Sequence, residues 1–447
     1  MNRIQTNTSL KETRRTSFLL CMGLVLLCQG DIGLGAIIGS FGIVQAFVSP
    51  KILSRTARSP TKKSAPGIDQ QSLQRTEKVV IFVSLNAAPR RLADNAQGPL
   101  YVNDKCINCS ACAMFAPSVF SRDTKQDIYH IVSKQPVTDL EIEESRAALV
   151  ACPVAAIRVD NAASTNANAA DEEKIPLASQ FAIQPELNGR KRPFPRPVSP
   201  NVADVYFVGH HNAGSFGAVP YLLLSPPSSS EGEPTWILVD TPKYSKKAAE
   251  VVESLTGSEG PSHLVLTHVD DTADHNLWKE RFPSMKRIFH SGDLGKYNWV
   301  GDETLEDVEI LLQSSSSDNG LQHFTLDGTP IDYTNSEPLV LLHTPGHSPG
   351  SISLLKKPTD DGTPGVLFTG DTYAYTTRDG GHGSGFPRYN KESRELQSKI
   401  LRQLIDLDWQ VLAPGHGHAR DYTLLEGANN LRKAEIEEGI EELSRYF

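Results

Sequence analysis

Residues 266–275, LTHVDDTADH, place two histidines and three aspartates directly after a short apolar run. A short and nearly continuous apolar run bounded by polar residues predicts a buried β-strand. Imidazole and carboxylate groups at the end of a rigid strand are well placed to hold a metal ion, whereas a histidine inside the strand would belong to the core. The stretch therefore predicts a metal site at a strand end.

Other apolar runs in the C-terminal half of the chain also end in polar, glycine-rich turns. They are VYFVGHHNAGSFGAVPYLLL, TWILVDTP, PLVLLHTPGHSPGSISLL, GVLFTGDTYAY and QVLAPGHGHA. Helical stretches such as SKKAAEVVESL and ESRELQSKILRQLI lie between the runs, which predicts a layered α/β architecture. Three of the strand ends carry the ligand-type residues His347, Asp371 and His416.

The order of these motifs, a histidine-containing loop followed by HTPGHSPGS, TGDT and PGHG, resembles the metallo-β-lactamase fold superfamily and especially its glyoxalase II-like members. The resemblance covers roughly residues 203–420 and implies a four-layered αβ/βα sandwich. It also implies one or two divalent metals, zinc or iron, at the edge between the sheets. The ligands that it implies are His268, Asp270, Asp274, His275, His347, Asp371 and His416, with Asp371 as the bridging carboxylate.

The first loop departs from the pattern of that family. It has H-x-D-D-x-x-D-H in place of H-x-H-x-D-H, so Asp270 or Asp271 stands where the second histidine belongs. Three alternatives follow: a carboxylate replaces the imidazole, the site holds a single metal, or His211 is recruited. For one of the two aspartates, capping of the following helix is favoured over ligation.

A carboxylate in place of an imidazole changes the metal preference of the site. The donor set becomes harder and more anionic, which favours iron or manganese over zinc. The flavodiiron oxygen reductases, which share the fold, resemble this chain in having a carboxylate at the middle position. Zinc stays possible on this sequence.

A second group of ligands lies upstream. The stretch KCINCSACAMF spaces Cys106, Cys109 and Cys112 by two residues, and LVACPVAAI supplies Cys152 followed by proline. Three closely spaced thiolates and a distant Cys-Pro are typical of one [4Fe-4S] cluster, whereas zinc ribbons rarely place three ligands in one loop. The pattern resembles bacterial-type ferredoxins, although Ala116 stands where the two-cluster forms have a further cysteine. We therefore expect a small α+β ferredoxin-like domain with a single cluster.

The first 65 residues are typical of a targeting segment. Arg14 and Arg15 precede the apolar run SFLLCMGLVLL, and a basic, hydroxyl-rich stretch follows the junction QAFVSP. This order resembles the bipartite plastid presequences of algae, which implies a plastid (chloroplast) location; a secretory signal is the alternative. Neither apolar run is long enough to predict a stable membrane span of the mature chain.

Composition and motifs together predict the domain organisation and exclude one class of partner. The net charge of −9 over 447 residues, with mixed signs, argues against a nucleic-acid partner. The Ala-, Asn- and Asp-rich stretch after the cysteines predicts a linker. The predicted order is presequence 1–65, connector 66–89, single-cluster domain 90–160, linker 161–200, sandwich domain 201–425 and C-terminal helix 426–447.

The two motif sets together resemble the ferredoxin–metallo-β-lactamase fusion proteins of plant and algal plastids. The favoured hypothesis is a metal-dependent hydrolase, in which Asp274 or Asp371 orients a metal-bound hydroxide toward a small ester, thioester or lactone substrate. The first alternative is an iron-dependent oxidoreductase that acts on O2 or another small oxidant, with electrons from the cluster and an electron-transfer partner. The second is a non-catalytic iron–sulfur protein.

Overall fold

Short strands and two helices surround the four cysteines in the computed structural model. The strands β1 and β4 pair antiparallel, as do β2 and β3. Helix α2 begins with a capping box, in which Thr138 and Glu141 each accept a hydrogen bond from the backbone N–H of the other. The elements are β1 Leu100–Val102, α1 Ala111–Phe115, β2 Phe120–Arg122, β3 His130–Val132, α2 Asp139–Ala151 and β4 Ile157–Val159.

The structure describes residues 88–123, 125, 128–160, 181, 191–227, 233–314, 321–334 and 337–446. The predicted presequence 1–65 and nearly all of the predicted connector 66–89 lie outside these residues. The chain from Ala88 to Phe447 forms one compact unit, so the cysteine-rich segment and the rest of the described chain pack together. No helix among the described residues is long and apolar enough to cross a membrane.

The first large sheet contains seven strands in the order β11-β10-β9-β8-β7-β6-β5. Strands β8 to β11 run parallel; α3 connects β8 to β9, α4 connects β9 to β10, and short 3-10 helices lie between β10 and β11. The elements are β5 Arg196–Ser199, β6 Val202–Phe207, β7 Tyr221–Ser225, β8 Thr235–Val239, α3 Lys246–Thr256, β9 His263–Val265, α4 His275–Arg281, β10 Lys286–His290 and β11 Ile310–Leu312.

The second large sheet also has seven strands, in the order β13-β12-β14-β15-β16-β19-β20. Its neighbours pair antiparallel except β16 and β19, which are parallel and are joined by a crossover through α5. The elements are β12 Gln322–Phe324, β13 Pro330–Ile331, β14 Leu339–His343, β15 Ile352–Lys356, β16 Val366–Gly370, β17 Ala374–Thr376, β18 His382–Ser384, α5 Arg394–Ile405, β19 Val411–Pro414, β20 Arg420–Asp421 and α6 Ala428–Ser444.

Successive residues of β14 face opposite sides of the second sheet, and what they pack against shows how the layers of the sandwich are arranged. Val340 and Leu342 of β14 pack against α5 and α6, whereas Leu341 belongs to the core between the two sheets. Phe368 of β16 meets Tyr221 of the first sheet with ring centroids 5.4 Å apart. Both faces of the strands are therefore buried, and the four-layered αβ/βα sandwich that the sequence predicted is confirmed.

Two predicted boundaries differ from the structure. Residues 196–199, assigned to the linker, form the edge strand β5 paired with β6. The prolines of RPFPRPVSP argued against a strand, because proline is excluded from central strands. Proline is tolerated at a sheet edge, which is where β5 lies. Helix α6, which was separated from the sandwich, instead buries Ile436, Ile440 and Leu443 in its outer core. The sandwich layer thus extends to Ser444.

An ion pair with a buried lysine joins the two sheets. Lys356 Nζ of β15 lies 3.1 Å from Asp204 Oδ2 of β6, and the lysine side chain is 1% exposed. A buried ammonium group without its carboxylate is destabilising, whereas an apolar replacement of the same length loses little. We expect Asp204→Ala to lower the free energy of unfolding by about 3 kcal/mol. Urea denaturation should show a much smaller change for Lys356→Met, and equal losses in the two variants would contradict this account.

Candidate metal centre and cluster site

Six donor residues at the strand ends, five of them buried, converge at one edge between the two sheets. His268 follows β9, and the next residues form a 3-10 turn, Val269–Asp271, that carries two of the carboxylates. The turns after β14, β16 and β19 supply the remaining donors. The six residues are His268, Asp270, Asp271, His347, Asp371 and His416.

Four donor atoms face one another across a small space. His268 Nε2 lies 3.9 Å from Asp270 Oδ2 and 3.8 Å from Asp371 Oδ2. His347 Nε2 lies 3.9 and 3.8 Å from the same two oxygens. Two atoms that bind one metal ion at about 2.0–2.2 Å are at most about 4.4 Å apart. Each of these pairs is therefore close enough for its two atoms to share an ion, and His268, Asp270 and His347 together have the spacing of metal ligands.

Asp371 also faces a second set of donors. Its Oδ1 lies 2.8 Å from His416 Nδ1, whereas its Oδ2 faces His268 and His347. Asp271 Oδ2 lies 3.7 Å from His268 Nδ1, and His268, Asp271 and Asp371 form a second group with the spacing of metal ligands. A carboxylate with its two oxygens directed at different donor sets suits the bridging position that the sequence predicted for Asp371.

The hydrogen bonding of the donors fits a metal ion. Buried polar atoms in proteins are nearly always hydrogen-bonded. Here several buried atoms have no hydrogen-bond partner among the described residues: His268 Nε2, both carboxylate oxygens of Asp271, both ring nitrogens of His347 and His416 Nε2. A concentration of unpaired imidazole nitrogens and carboxylate oxygens is costly unless a cation satisfies them. The residues present therefore fit the divalent metal that the fold implies.

The electrostatics of the site also favour a cation. Burial raises the pKa of Asp271 well above its usual range. Burial opposes protonation of His416, but the carboxylates of Asp371 and Asp271 raise the pKa of that imidazole to about 10. Positive charge is therefore stabilised at this position, because three acids share one buried space.

The structure does not bring two of the predicted ligands to the site. Asp274 Oδ2 accepts hydrogen bonds of 2.9 Å from Asn212 Nδ2 and from the backbone N–H of Tyr244. His275 lies against Asp302 and Arg287, at 3.1 Å from each. The prediction of Asp274 and His275 as metal ligands, and of Asp274 as a catalytic residue, is therefore corrected.

The two extra residues of the loop explain this correction. The 3-10 turn after His268 directs both Asp270 and Asp271 into the site, so the chain has already left the metal centre when it reaches Asp274. Neither Asp270 nor Asp271 caps α4, because the N-cap residue is Asp274 in the left-handed conformation. The helix-cap role expected for one of the pair is therefore wrong, and both aspartates are donors.

A carboxylate that the sequence analysis did not single out joins the two ligand loops. Asp293 accepts hydrogen bonds from the backbone N–H of Val269 at 3.0 Å and of Gly350 at 2.6 Å. It also accepts a bond of 2.8 Å from Ser348 Oγ, and burial raises its pKa to about 6. Asp293 thereby fixes the residues next to His268 and His347. The only signal in the sequence was an acid after an apolar run, in IFHSGD.

A stacked histidine pair supports the same loop. The rings of His290 and His343 lie 3.9 Å apart at an angle of 11°. Ser314 Oγ lies 2.8 Å from His290 Nε2 and 2.6 Å from His343 Nδ1. The backbone N–H of Gly292 donates to His290 Nδ1, and His343 Nε2 lies 2.9 Å from the carbonyl oxygen of Pro349. The bond from Gly292 holds the His290 ring neutral, because its Nδ1 must accept, whereas His343 Nε2 must donate to the Pro349 carbonyl oxygen.

The cysteines form a separate small cavity. Cys106, Cys109, Cys112 and Cys152 all line it. Backbone N–H groups of Asn108 and His130 lie 3.4 Å from Cys106 Sγ, and that of Ala156 lies 3.2 Å from Cys152 Sγ. Such N–H···S bonds are a usual means of tuning the potential of an iron–sulfur cluster. Burial raises the pKa of Cys109 to about 12, so bound iron is needed to stabilise its thiolate.

A cavity of about 810 Å³ connects the two sites. One part of its wall is the cluster-binding loop 107–110, and another part contains Asp270, His347, Asp371 and His416. Basic and aromatic side chains line much of the rest, including Arg378, Phe386, Tyr389 and Lys391. The metal donors and the cluster loop are therefore open to the same bound molecule.

Comparisons with known proteins agree with the two parts of the chain. Residues 102–159 match the family described as the 4Fe-4S single cluster domain of ferredoxin I. No curated protein matches the sequence. The chain thus joins a segment similar to single-cluster ferredoxin domains, which supports an iron–sulfur cluster, to an αβ/βα sandwich with a His/Asp site.

Solved structures similar to the sandwich include metallo-β-lactamases and a member of their superfamily. An archaeal superfamily protein from Sulfolobus tokodaii is 18% identical with a TM-score of 0.29, over 51% of this chain and 93% of its own. The metallo-β-lactamase GOB-18 from Elizabethkingia meningoseptica is 14% identical with a TM-score of 0.32, over 56% and 90%. The subclass B3 enzyme BJP-1 of Bradyrhizobium japonicum is 17% identical with a TM-score of 0.33, over 56% and 93%. The fold assignment rests on the strand order and layers described above.

Loss of the Asp293 carboxylate should weaken metal binding without unfolding the sandwich. Ligand-orienting groups in metalloproteins commonly contribute about 10–100-fold in affinity. We therefore expect Asp293→Ala to raise the dissociation constant of the metal by about that factor, measured by competition with a chelator. Asp302→Ala, which removes a nearby carboxylate bonded to His275, is the matched control and should bind metal as the wild type does.

The stacked pair predicts an acid-sensitive stability. Burial lowers the pKa of His290 to about 3, whereas an unfolded histidine has a pKa of about 6.5. Between these values the unfolded state binds the proton and the folded state does not, so stability falls as pH falls. His290→Gln should reduce this slope by up to about 1.4 kcal/mol per pH unit. Urea denaturation between pH 6 and 4 tests it; a slope equal to that of the wild type would contradict the prediction.

Proposed function

We propose that the chain is a metal-dependent oxidoreductase, in which the cluster segment supplies single electrons to the metal centre of the sandwich. The observation that carries this proposal is the shared cavity, whose wall contains both the cluster loop 107–110 and the metal donors. A hydrolase would have no use for electrons delivered beside its metal. The proximity of the two sites is what a redox reaction needs.

The donor set supports iron as the metal. Three carboxylates and three imidazoles make a harder and more anionic set than a histidine-rich site, which favours iron or manganese over zinc. Bound iron would supply reversible one-electron chemistry toward a small oxidant such as O2. Complete reduction of O2 to two waters takes up four electrons and four protons. The cluster would pass the electrons one at a time from an external electron-transfer partner.

The residues around Asp270 would bind and orient the substrate. Lys391 Nζ lies 3.4 Å from both oxygens of Asp270 and 4.1 Å from the centre of the Trp299 ring. The indole N–H of Trp299 donates to Asp270 Oδ1. Lys391 lines the cavity and keeps N–H donors for an anionic or partly reduced substrate. It would therefore deliver a proton or a hydrogen bond next to the metal donors.

A metal-dependent hydrolase is the second candidate. Lys391 and Arg378 line the cavity beside the donors and would suit a small substrate with a carboxylate group. A divalent metal would lower the pKa of a bound water to near 7, as in other metallohydrolases. Asp371 is then the candidate carboxylate for orienting that water, since Asp274 is hydrogen-bonded to Asn212 and Tyr244.

Plastid delivery is a further proposal, which rests on residues 1–65 alone.

Metal content distinguishes the two candidates. Protein that begins near Gln70 and is purified anaerobically should contain iron beyond the four atoms of the cluster. His347→Ala should lose this additional iron and keep the cluster absorbance, because His347 is a donor only in the sandwich. His263→Ala, a histidine at the far end of β9, should keep both.

Other outcomes have definite meanings. If His347→Ala removes zinc and no iron, the redox proposal is wrong and screens with esters and thioesters follow. If the wild type holds no metal besides the cluster, both catalytic proposals fail.

A further inference from the structure

We infer that the segment 211–219 is an electron-transfer bridge from the cluster ligand Cys109 to the metal donors of the sandwich. The inference rests on the proposed redox function and identifies the residues that carry the electron. In the transfer step, a reduced cluster loses one electron and a ferric ion in the sandwich site gains it, and no bond forms or breaks. The bridge follows from a series of contacts.

The bridge starts with a close approach of the backbone to the cluster ligand. Gly217 has φ +92°, and a Cβ added there would lie 2.8 Å from Cys109 Cβ and 3.1 Å from Cys109 Sγ. The same added atom would lie 3.3 Å from Pro153, next to Cys152. Only a residue without a side chain allows this contact. The loop 212–217 therefore packs directly on Cys109.

From Gly217 a hydrogen bond leads to the metal donors. After Ala218, the backbone N–H of Val219 donates to the carbonyl oxygen of Gly415 at 2.7 Å. Gly415 is bonded to the donor His416. A Cβ on Gly415 would lie 3.0 Å from Asp271 Oδ2 and 3.2 Å from Asp371 Oδ1. Covalent bonds, one hydrogen bond and one van der Waals contact thus connect Cys109 to the metal donors.

His211 adds a second connection to the same segment. Its Nδ1 lies 3.0 Å from the carbonyl oxygen of Gly217, so Nδ1–H is the donor and the tautomer is fixed. Its ring packs edge-on against Phe115 of α1, with centroids 5.9 Å apart. The ring is 1% exposed. His211 therefore holds the Gly217 carbonyl in place beside the cluster helix.

The test measures electron transfer in the protein with both cofactors bound. The cluster is reduced rapidly, and stopped-flow absorbance and freeze-quench EPR record cluster reoxidation and reduction of the sandwich iron. Gly217→Ala should move the loop away from Cys109 and slow this transfer several-fold. Gly257→Ala is the matched control, because Gly257 also has a positive φ, +70°, but nothing lies within 4 Å of an added Cβ. The control should transfer electrons at the wild-type rate.

The outcomes separate the bridge from the proposed function. If the wild type transfers electrons and Gly217→Ala is as fast, the bridge is wrong and the redox function stands. If the wild type does not transfer electrons to the sandwich metal, both proposals fall. If Gly217→Ala slows transfer while a soluble mediator still reduces the sandwich iron at the normal rate, the bridge is supported.

A second measurement needs no variant and covers the case in which Gly217→Ala does not fold. The EPR signal of the reduced cluster should relax faster when the sandwich site holds a paramagnetic ion such as Mn²⁺ than when it holds Zn²⁺. This difference is expected because the bridge places the two sites close together. Equal relaxation in the two metal-loaded forms would overturn the inference.

Discussion

The buried carboxylate of Asp293 is the contact on which the metal centre depends. It accepts hydrogen bonds from Val269, Ser348 and Gly350, and so joins the loop after a strand of the first sheet to the loop after a strand of the second. The metal donors lie on loops, and loops are less rigid than strands. A single acid that satisfies donors from both loops fixes His268 and His347 across the gap between the sheets. The stacked pair of His290 and His343 holds the segment that carries Asp293 and the loop after β14, through bonds to Gly292 and Pro349.

The sequence predicted the layers and most of the donors because both depend on local patterns. Apolar runs ending in polar turns are typical of buried strands, and strand ends of one sheet edge must lie near one another. His347, Asp371 and His416 follow directly from that rule. The first loop could not be predicted in the same way. The family pattern used to assign its ligands is two residues shorter than this loop. In the structure, the 3-10 turn 269–271 directs Asp271 into the site, and His275 lies outside it.

Long-range packing could not be predicted from the sequence. Nothing in the composition of 191–200 indicated an edge strand, since its prolines are also typical of linkers. The position of the cysteine-rich segment could not be predicted either, because the contact between Cys109 and Gly217 joins residues far apart in the chain. Phe115 of that segment packs against Phe194 and Phe207, with ring centroids 5.0 and 5.2 Å apart. The segment is thus part of the hydrophobic core of the sandwich, which keeps the cluster loop at a fixed place in the cavity wall.

The proposed redox function would explain both the altered first loop and the cysteine-rich segment. A carboxylate in place of an imidazole adds negative charge to the donor set and stabilises the more highly charged state of a metal ion. For zinc, which has a single oxidation state in proteins, this change brings no redox advantage. For iron it favours the ferric ion, which then needs an electron donor to return to the ferrous form. A cluster whose ligand contacts the backbone next to the site meets that need. The same substitution is therefore consistent with the proposed redox function.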